Sequence, residues 1–271
     1  MADDHTVVGR VAFDQGRPTA DTGASLKGKV SEAEWQVRVE LAALYRLVAL
    51  YGWDDMIFTH ISARIPGPEH QFLINPYGMF FGEMTASALV KVDLEGNILQ
   101  ETPYFINPAG FTIHSAVHMN REDAHYVMHL HSDQGAAVAA QKDGLLPLTQ
   151  HALIVLPRLA YHDYEGIALN LDERERLVND LGPTKTLMLL RNHGTLSVGA
   201  TAADCWTGMF FLERACKMQV MALSAGRDGV LMSPRPAREE VEGQTSRGIG
   251  GGLAWPGALR LLERESPGYD V

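Results

Sequence analysis

The stretch YVMHLH, residues 126–131, alternates with the period of two that marks a β-strand. Residues two apart in a strand share a face, so His129 and His131 present their imidazoles side by side. Tyr126, Met128 and Leu130 then turn to the opposite, packed face. Two imidazoles on one face can meet one metal ion, and a stable site needs at least one more ligand. His193 can supply it from the turn Asn192-His193-Gly194, which joins two strand-like runs. A tight turn on a rigid scaffold aims its side chain at a fixed point. Three neutral imidazoles suit zinc, iron, cobalt or nickel and leave positions open for water or substrate.

Working outward, residues 108–120 (PAGFTIHSAVHMN) read as a helix that Pro108 can open, with His114 and His118 four apart on one face. Residues 186–190 (TLMLL) and 195–198 read as strands around the His193 turn, and 152–156 (ALIVL) as a further buried strand. Residues 135–141 are Ala-rich and helical. A long helix from about 202 to 225 is marked by Thr201 as N-cap and Gly226 as stop. Near the front, Ser31 and Glu34 have capping-box spacing, ahead of Trp35, Val39, Leu41, Leu44, Leu47 and Val48 at helical intervals. Residues 56–64 and 71–75 read as strands, Pro76-Tyr77-Gly78 as a turn, and 85–90 as a short helix. Residues 91–94 read as a strand entering the Glu95-Gly96-Asn97 turn. Helices and strands mix without a regular βαβ rhythm, which predicts one α+β or three-layer α/β domain over 31–226. A polar N-terminal arm (1–30) precedes it. A C-terminal tail or lid (227–271), with one short helix near 256–263, follows.

Composition bounds the function. The 271 residues are 46% hydrophobic and 21% charged, a globular balance. Lys plus Arg number 23 against 33 Asp plus Glu, a net charge of −10 that argues against a nucleic-acid partner. Two cysteines, Cys205 and Cys216, make no disulfide framework and fit a reducing cytoplasm. No run approaches the ~18 consecutive apolar residues of a membrane span, and no signal-peptide core opens the chain. A soluble, cytoplasmic protein with no membrane partner is expected.

Several motifs together resemble the class II aldolase/adducin superfamily. They are NPYG at 75–78, TASALVKVDLEG at 85–96, AGFTIHSAVH at 109–118, HLHS at 129–132, GLLPLTQHAL at 144–153, AYHDYEG at 160–166 and LGPTKTLMLLRNHG at 181–194. The resemblance spans about residues 32–225 and is closest to the adducin head-like bacterial branch. It implies a three-layer α/β/α domain with a central, mainly antiparallel sheet. It also implies a homo-oligomer, often a tetramer, with sites at subunit interfaces. It implies a divalent transition metal ion in each subunit, zinc first, with iron(II), manganese or cobalt as alternatives, held by His129, His131 and His193.

Departures from the family pattern shape the expected chemistry. The sugar-phosphate aldolases carry an acidic residue four positions before the helix histidine, and here Gly110 stands there, four before His114. Their Gly-Asn-x-Ser phosphate turn corresponds to Thr59-His60-Ile61-Ser62, with His60 at the asparagine position, so a phosphorylated sugar is not expected. Ser62 and Arg64 remain candidate anion contacts. His60, Ser62, Asn75, Gly78 and Gly110 are the expected substrate contacts. His151, near the place of the aldolases' catalytic tyrosine, is the first candidate acid/base, and His114 the second. His162 is expected at the pocket rim or in a surface loop, and His118 and His125 in structural roles.

Three functions follow. The first is a metal-dependent lyase cleaving a C–C bond of a small non-phosphorylated oxo, hydroxy or aromatic acid, by retro-aldol cleavage or decarboxylation. The second is a non-haem Fe(II) oxygenase acting on an aryl 2-oxo or 2-hydroxy acid, which an all-histidine site suits. The third is a non-catalytic scaffold like the adducin head. The chain carries no adducin neck or basic tail, so actin or spectrin binding is not expected.

Overall fold

The computed structural model describes residues 25–166, 172–246, 248 and 250–271. Most of the expected N-terminal arm therefore lies outside the described residues. Among the described residues the helices are α1 (Glu32–Leu50), α2 (Pro108–Asn120), α3 (Asp133–Ala139), α4 (Gln150–Val155), α5 (Glu173–Leu181), α6 (Ala202–Leu223), α7 (Arg235–Thr245) and α8 (Gly251–Glu265). The strands are β1 (His60–Arg64), β2 (Phe72–Ile74), β3 (Val90–Val92), β4 (Tyr126–Leu130), β5 (Leu159–His162), β6 (Leu187–Leu190) and β7 (Gly194–Gly199). They form one sheet in the order β3-β2-β1-β4-β7-β6-β5. Every pairing is antiparallel except β5 with β6. The fold is α/β with a mainly antiparallel sheet between helical layers, as the resemblance implies.

Strand alternation sorts the two faces. Tyr126, Met128 and Leu130 pack with Leu41, Leu44 and Leu47 of α1 and Met209 of α6. Leu187 and Leu189 meet residues of α3, α4 and α6, including Val138, Val155 and Leu212. On the opposite face, Val127, Met188, Leu190, Leu196 and Val198 pack under Ile113 and Val117 of α2 and Leu177 and Leu181 of α5. His129 shares the face of Val127, so the H-x-H pair emerges on the α2/α5 side, beside the layer that carries His114 and His118.

Local chemistry explains the elements. Asn107 caps α2 by accepting from Ala109 N, with Pro108 as the first helical residue, which lacks the N–H that would go unpaired there. Thr201 caps α6 through Asp204 N. Ser31 caps α1, accepting from Glu34 N at 3.1 Å. The expected reciprocal bond of a capping box gives way to stronger partners: Glu34 takes hydrogen bonds from Arg38 and Lys91.

Four expectations are corrected. Residues 152–155 belong to helix α4, whose first turn Thr149 caps by accepting from Ala152 N, and Leu156 begins the 3-10 turn that follows. Their apolar faces meet both the sheet and α6, so they lack a polar stripe and their periodicity says nothing. Residues 85–89 form a turn, with Ala88 N bonded to Thr85 O, and Val90 already opens β3. The first strand begins at His60, because Met56 and Thr59 hold positive φ angles of 52° and 65° that break an extended run. The C-terminal segment holds two helices, not one. Leu262 of α8 is fully buried, Trp255, Ala258 and Leu259 pack on the core, and the last residues accept bonds from Ala86 N and Ser87 N.

Candidate metal centre

β4 and the β6–β7 turn bring His129, His131 and His193 together, the one metal-competent group of histidine, cysteine and acidic side chains among the described residues. The Nε2 atoms of His129 and His131 lie 3.0 Å apart and those of His131 and His193 lie 2.9 Å apart. The turn that delivers His193 is built for it. Asn192 takes φ 56°, His193 N donates to Leu190 O at 3.0 Å, and a Cβ on Gly194 would stand 2.2 Å from Leu130 O. Only glycine fits where β7 leaves the turn against β4.

The hydrogen bonds at the far side of two rings fix their tautomers. His129 Nδ1 donates to Thr195 O at 3.0 Å, and His131 Nδ1 to Asp55 Oδ2 at 3.0 Å. A carbonyl only accepts, as does an ionised carboxylate, so each Nδ1 carries the hydrogen and each Nε2 presents a lone pair. Two such lone pairs facing at 3.0 Å repel unless a cation lies between them. Three nitrogens at ~2.05 Å from a tetrahedral ion would be about 3.3 Å apart. Donor chemistry and spacing therefore fit a bound divalent ion. Burial and the neighbouring rings push the His129 imidazole well below its ordinary value and His193 down to about 4, so both rings are neutral at pH 7, the form a metal ion would need.

Support comes from residues the sequence reading did not single out. Asp55 orients His131. Glu213 of α6, fully buried, accepts from Ser132 and from Thr195 Oγ1, the latter at 2.7 Å, and so ties the residues next to His131 and under His129 to the helix layer. Burial pushes the Glu213 carboxyl up. Its position was detectable: it shares the apolar helix face of Met209 and Cys216. Asp55 sits in an irregular segment with no such signal.

The expected substrate residues divide. His60 pairs directly opposite His129 across β1 and β4, with ring centroids 5.1 Å apart. Gly110 lies under that ring: a Cβ there would stand 2.5 Å from His60 Cδ2. The glycine at the aldolases' acidic position is thus what makes room for His60. Ser62 is sealed, its hydroxyl shared between His114 and His118. His114 is fully buried with both ring nitrogens bonded, to His60 and Ser62, so it meets the site through His60. Arg64 donates to His118 O. Asn75 accepts from Tyr45 Oη at 2.9 Å inside the α1 layer, and Gly78 forms a turn at φ 100°. His151 is the second residue of α4, its ring 5.3 Å from that of Phe211, with burial and Arg214 lowering its pKa. His162 is not a surface residue. It ends β5, buried, with Nδ1 bonded to Asp180 at 2.7 Å and Nε2 3.5 Å from Glu173.

This mainly antiparallel sheet gathers three histidines that could hold a metal ion at one end of β4 and β7, and sequence comparison names the family of such a domain. Residues 39–220 match the Class II Aldolase and Adducin N-terminal domain, and the chain belongs to that family. A Caulobacter vibrioides protein provisionally named as an aldolase class 2 protein is 80% identical over 247 residues, covering 90% of this chain and 96% of its own length. Rat alpha-adducin is 39% identical over 252 residues, 92% of this chain but 34% of adducin. The crystal structure of an aldolase II superfamily protein from Pseudomonas syringae superposes with a TM-score of 0.87 at 49% identity, over 92% of this chain and all of the other.

Proposed function

We propose that this protein is a metal-dependent lyase that cleaves a C–C bond of a small, non-phosphorylated oxo, hydroxy or aromatic acid, by retro-aldol cleavage or decarboxylation. The convergence of three Nε2 atoms, two of them with lone pairs fixed by Thr195 O and Asp55, carries this reading. His129, His131 and His193 would hold a divalent ion, zinc first, with iron(II), manganese or cobalt as alternatives. Such an ion, when bound, supplies Lewis-acid polarisation of a carbonyl or carboxylate oxygen. Among the described residues no carboxylate joins the three imidazoles, which leaves more of the coordination sphere to substrate.

The surroundings speak against a phosphate. Ser62 Oγ is spent on two histidines, Arg64 is turned to a backbone carbonyl, and His60 is kept neutral by burial. A phosphate site needs free N–H, hydroxyl or cationic donors. His151 remains the proposed proton carrier. It would serve in a homo-oligomer, a tetramer on this reading, whose interfaces complete the site. Among the described residues no helix is long and apolar enough to cross a membrane, and a cytoplasmic location fits the two buried free thiols.

The test is a substrate screen on tag-free protein reconstituted with zinc, manganese or cobalt. Release of an aldehyde or of CO₂ from hydroxy, oxo or aromatic acids, lost in His129→Ala, is the expected result. Turnover only with iron and O₂ uptake would replace the lyase by the oxygenase. No turnover with any metal, and no metal bound, would leave an adducin-like scaffold.

A further inference from the structure

Behind the metal centre runs a second group of imidazoles that the lyase reading does not use. His118 Nδ1 contacts Ala124 O at 3.1 Å, and His118 Nε2 lies 2.7 Å from Ser62 Oγ. Ser62 Oγ also bonds His114 Nδ1, and His114 Nε2 lies 2.9 Å from His60 Nδ1. All four side chains are buried, from fully for Ser62 and His114 to 4% exposed for His60. The rings are buried together and none of these bonds reaches an acidic side chain, so nothing there compensates a charge and the three rings are neutral.

One carbonyl then orders the whole chain. Ala124 O can only accept, so His118 carries its hydrogen on Nδ1 and offers Nε2 as an acceptor. Ser62 must donate its single hydroxyl hydrogen to that nitrogen. The same oxygen then accepts from His114 Nδ1–H. His114 Nε2 is left bare and accepts from His60 Nδ1–H. His60 Nε2 is left bare in turn. That atom is not sealed from solvent, in contrast to the buried hydroxyl of Thr59 beside it in the chain. It belongs to the ring that Gly110 admits beside His129.

The geometry points to His60 as the hydrogen-bond acceptor for a substrate hydroxyl beside the three-histidine site, its Nε2 held free of hydrogen by the buried chain through His114, Ser62 and His118. An acceptor at that position takes an alcohol or enol O–H and repels the oxygens of a phosphate or carboxylate. It narrows the substrate of the proposed lyase to hydroxy acids or their enol equivalents. His114, Ser62 and His118 are positioning residues: they act only through the His60 tautomer. The substrate half of this inference rests on the metal reading, and the tautomer half stands without it.

The experiment has two arms. The first is ¹⁵N NMR of the histidine rings in the metal-free full-length protein, with His60 assigned through its contact with Gly110 and His118 through Ala124. Expected are pyrrole-type Nδ1 and pyridine-type Nε2 signals for His60, His114 and His118, with the His60 tautomer becoming mixed in Ser62→Ala. A pyrrole-type Nε2 on His60 in the wild-type protein overturns the proposal. The second arm titrates cobalt(II)-loaded protein with glycolate and with methoxyacetate, its methyl ether, and follows the cobalt absorption bands. Glycolate should bind about tenfold more tightly, the worth of one buried hydrogen bond. That preference should shrink in Ser62→Ala, which keeps the His60 side chain, and vanish in His60→Ala. Equal binding of the two acids to the wild type, or a preference unchanged in both variants, overturns it. Failure of cobalt to bind would instead refute the metal reading, with the NMR arm still deciding the tautomer.

Discussion

Protonating His118 in place is costly, and the cost can be worked from its surroundings. Its Nδ1–H is committed to Ala124 O, its Nε2 accepts from Ser62, its ring lies 4.9 Å from that of Phe72, and 2% of the residue is exposed. A proton on Nε2 would force the Ser62 hydroxyl to turn round, against the hydrogen it already receives from His114. Burial first, and then the charge of Arg64, hold the folded-state pKa at about 3 against 6.5 for the free side chain. Between those values the unfolded chain binds the proton and the folded chain does not, so stability falls as pH drops through the window. The contribution is complete above about pH 6.5 and is lost progressively toward pH 3. At pH 5 the loss is about 2 kcal/mol, from 1.36 kcal/mol for each pH unit below 6.5. His118→Gln removes this titration while keeping a side-chain amide for both neighbours. Urea unfolding of metal-free protein, followed by tryptophan fluorescence, should show the wild type losing about 2 kcal/mol more than His118→Gln between pH 7 and pH 5. Equal losses in the two proteins would refute a buried, neutral His118 and the chain built on it.

Three further outcomes follow from the same geometry. Gly110→Ala sets a Cβ 2.5 Å from His60 Cδ2 and should cost about 1–3 kcal/mol by displacing that ring, read as a lower unfolding midpoint; an unchanged midpoint would contradict the packing. Glu213→Ala leaves the Ser132 and Thr195 hydroxyls without their buried acceptor and should cost about 1–3 kcal/mol. Glu213→Gln, which keeps one acceptor oxygen in a site where burial already favours the uncharged carboxyl, should cost markedly less in the same unfolding assay. Asp55→Ala frees the His131 ring from its orienting bond and should weaken zinc binding about 10- to 100-fold in a competition titration, with little change in the stability of the metal-free protein because Asp55 is half-exposed.

The sequence was most informative where one physical constraint acted alone. Strand alternation placed His129 and His131 on one face, and the Asn192-His193-Gly194 turn placed the third ring against them. The bounds of α2, from Pro108 to Asn120, agree with the structure because a proline and a capping asparagine mark its start. Legibility failed where burial erased the pattern. The run 152–156 is apolar on every side, so helix and strand could not be told apart by period, though Thr149 held the capping clue. Strand β5 and helix α5 went unread: β5 is four residues long, and α5 is dominated by charged residues. At the site, the meeting of the three histidines was legible and the groups that support them were not. Asp55 reaches His131 across 76 positions and Glu213 reaches Ser132 across 81, and no local pattern records such a meeting. The direction of the His60–His114–Ser62–His118 chain depends on one backbone carbonyl, Ala124 O, which every sequence would supply and only the fold can aim.

The central claim is that three lone-pair nitrogens converge to hold a metal ion. Metal analysis of tag-free protein, purified without added metal and again after zinc reconstitution, tests it directly beside His129→Ala. About one divalent ion per chain is expected in the reconstituted wild type, and a large loss in the variant. A folded wild-type protein that takes up no ion, or a His129→Ala variant that holds as much as the wild type, would contradict it.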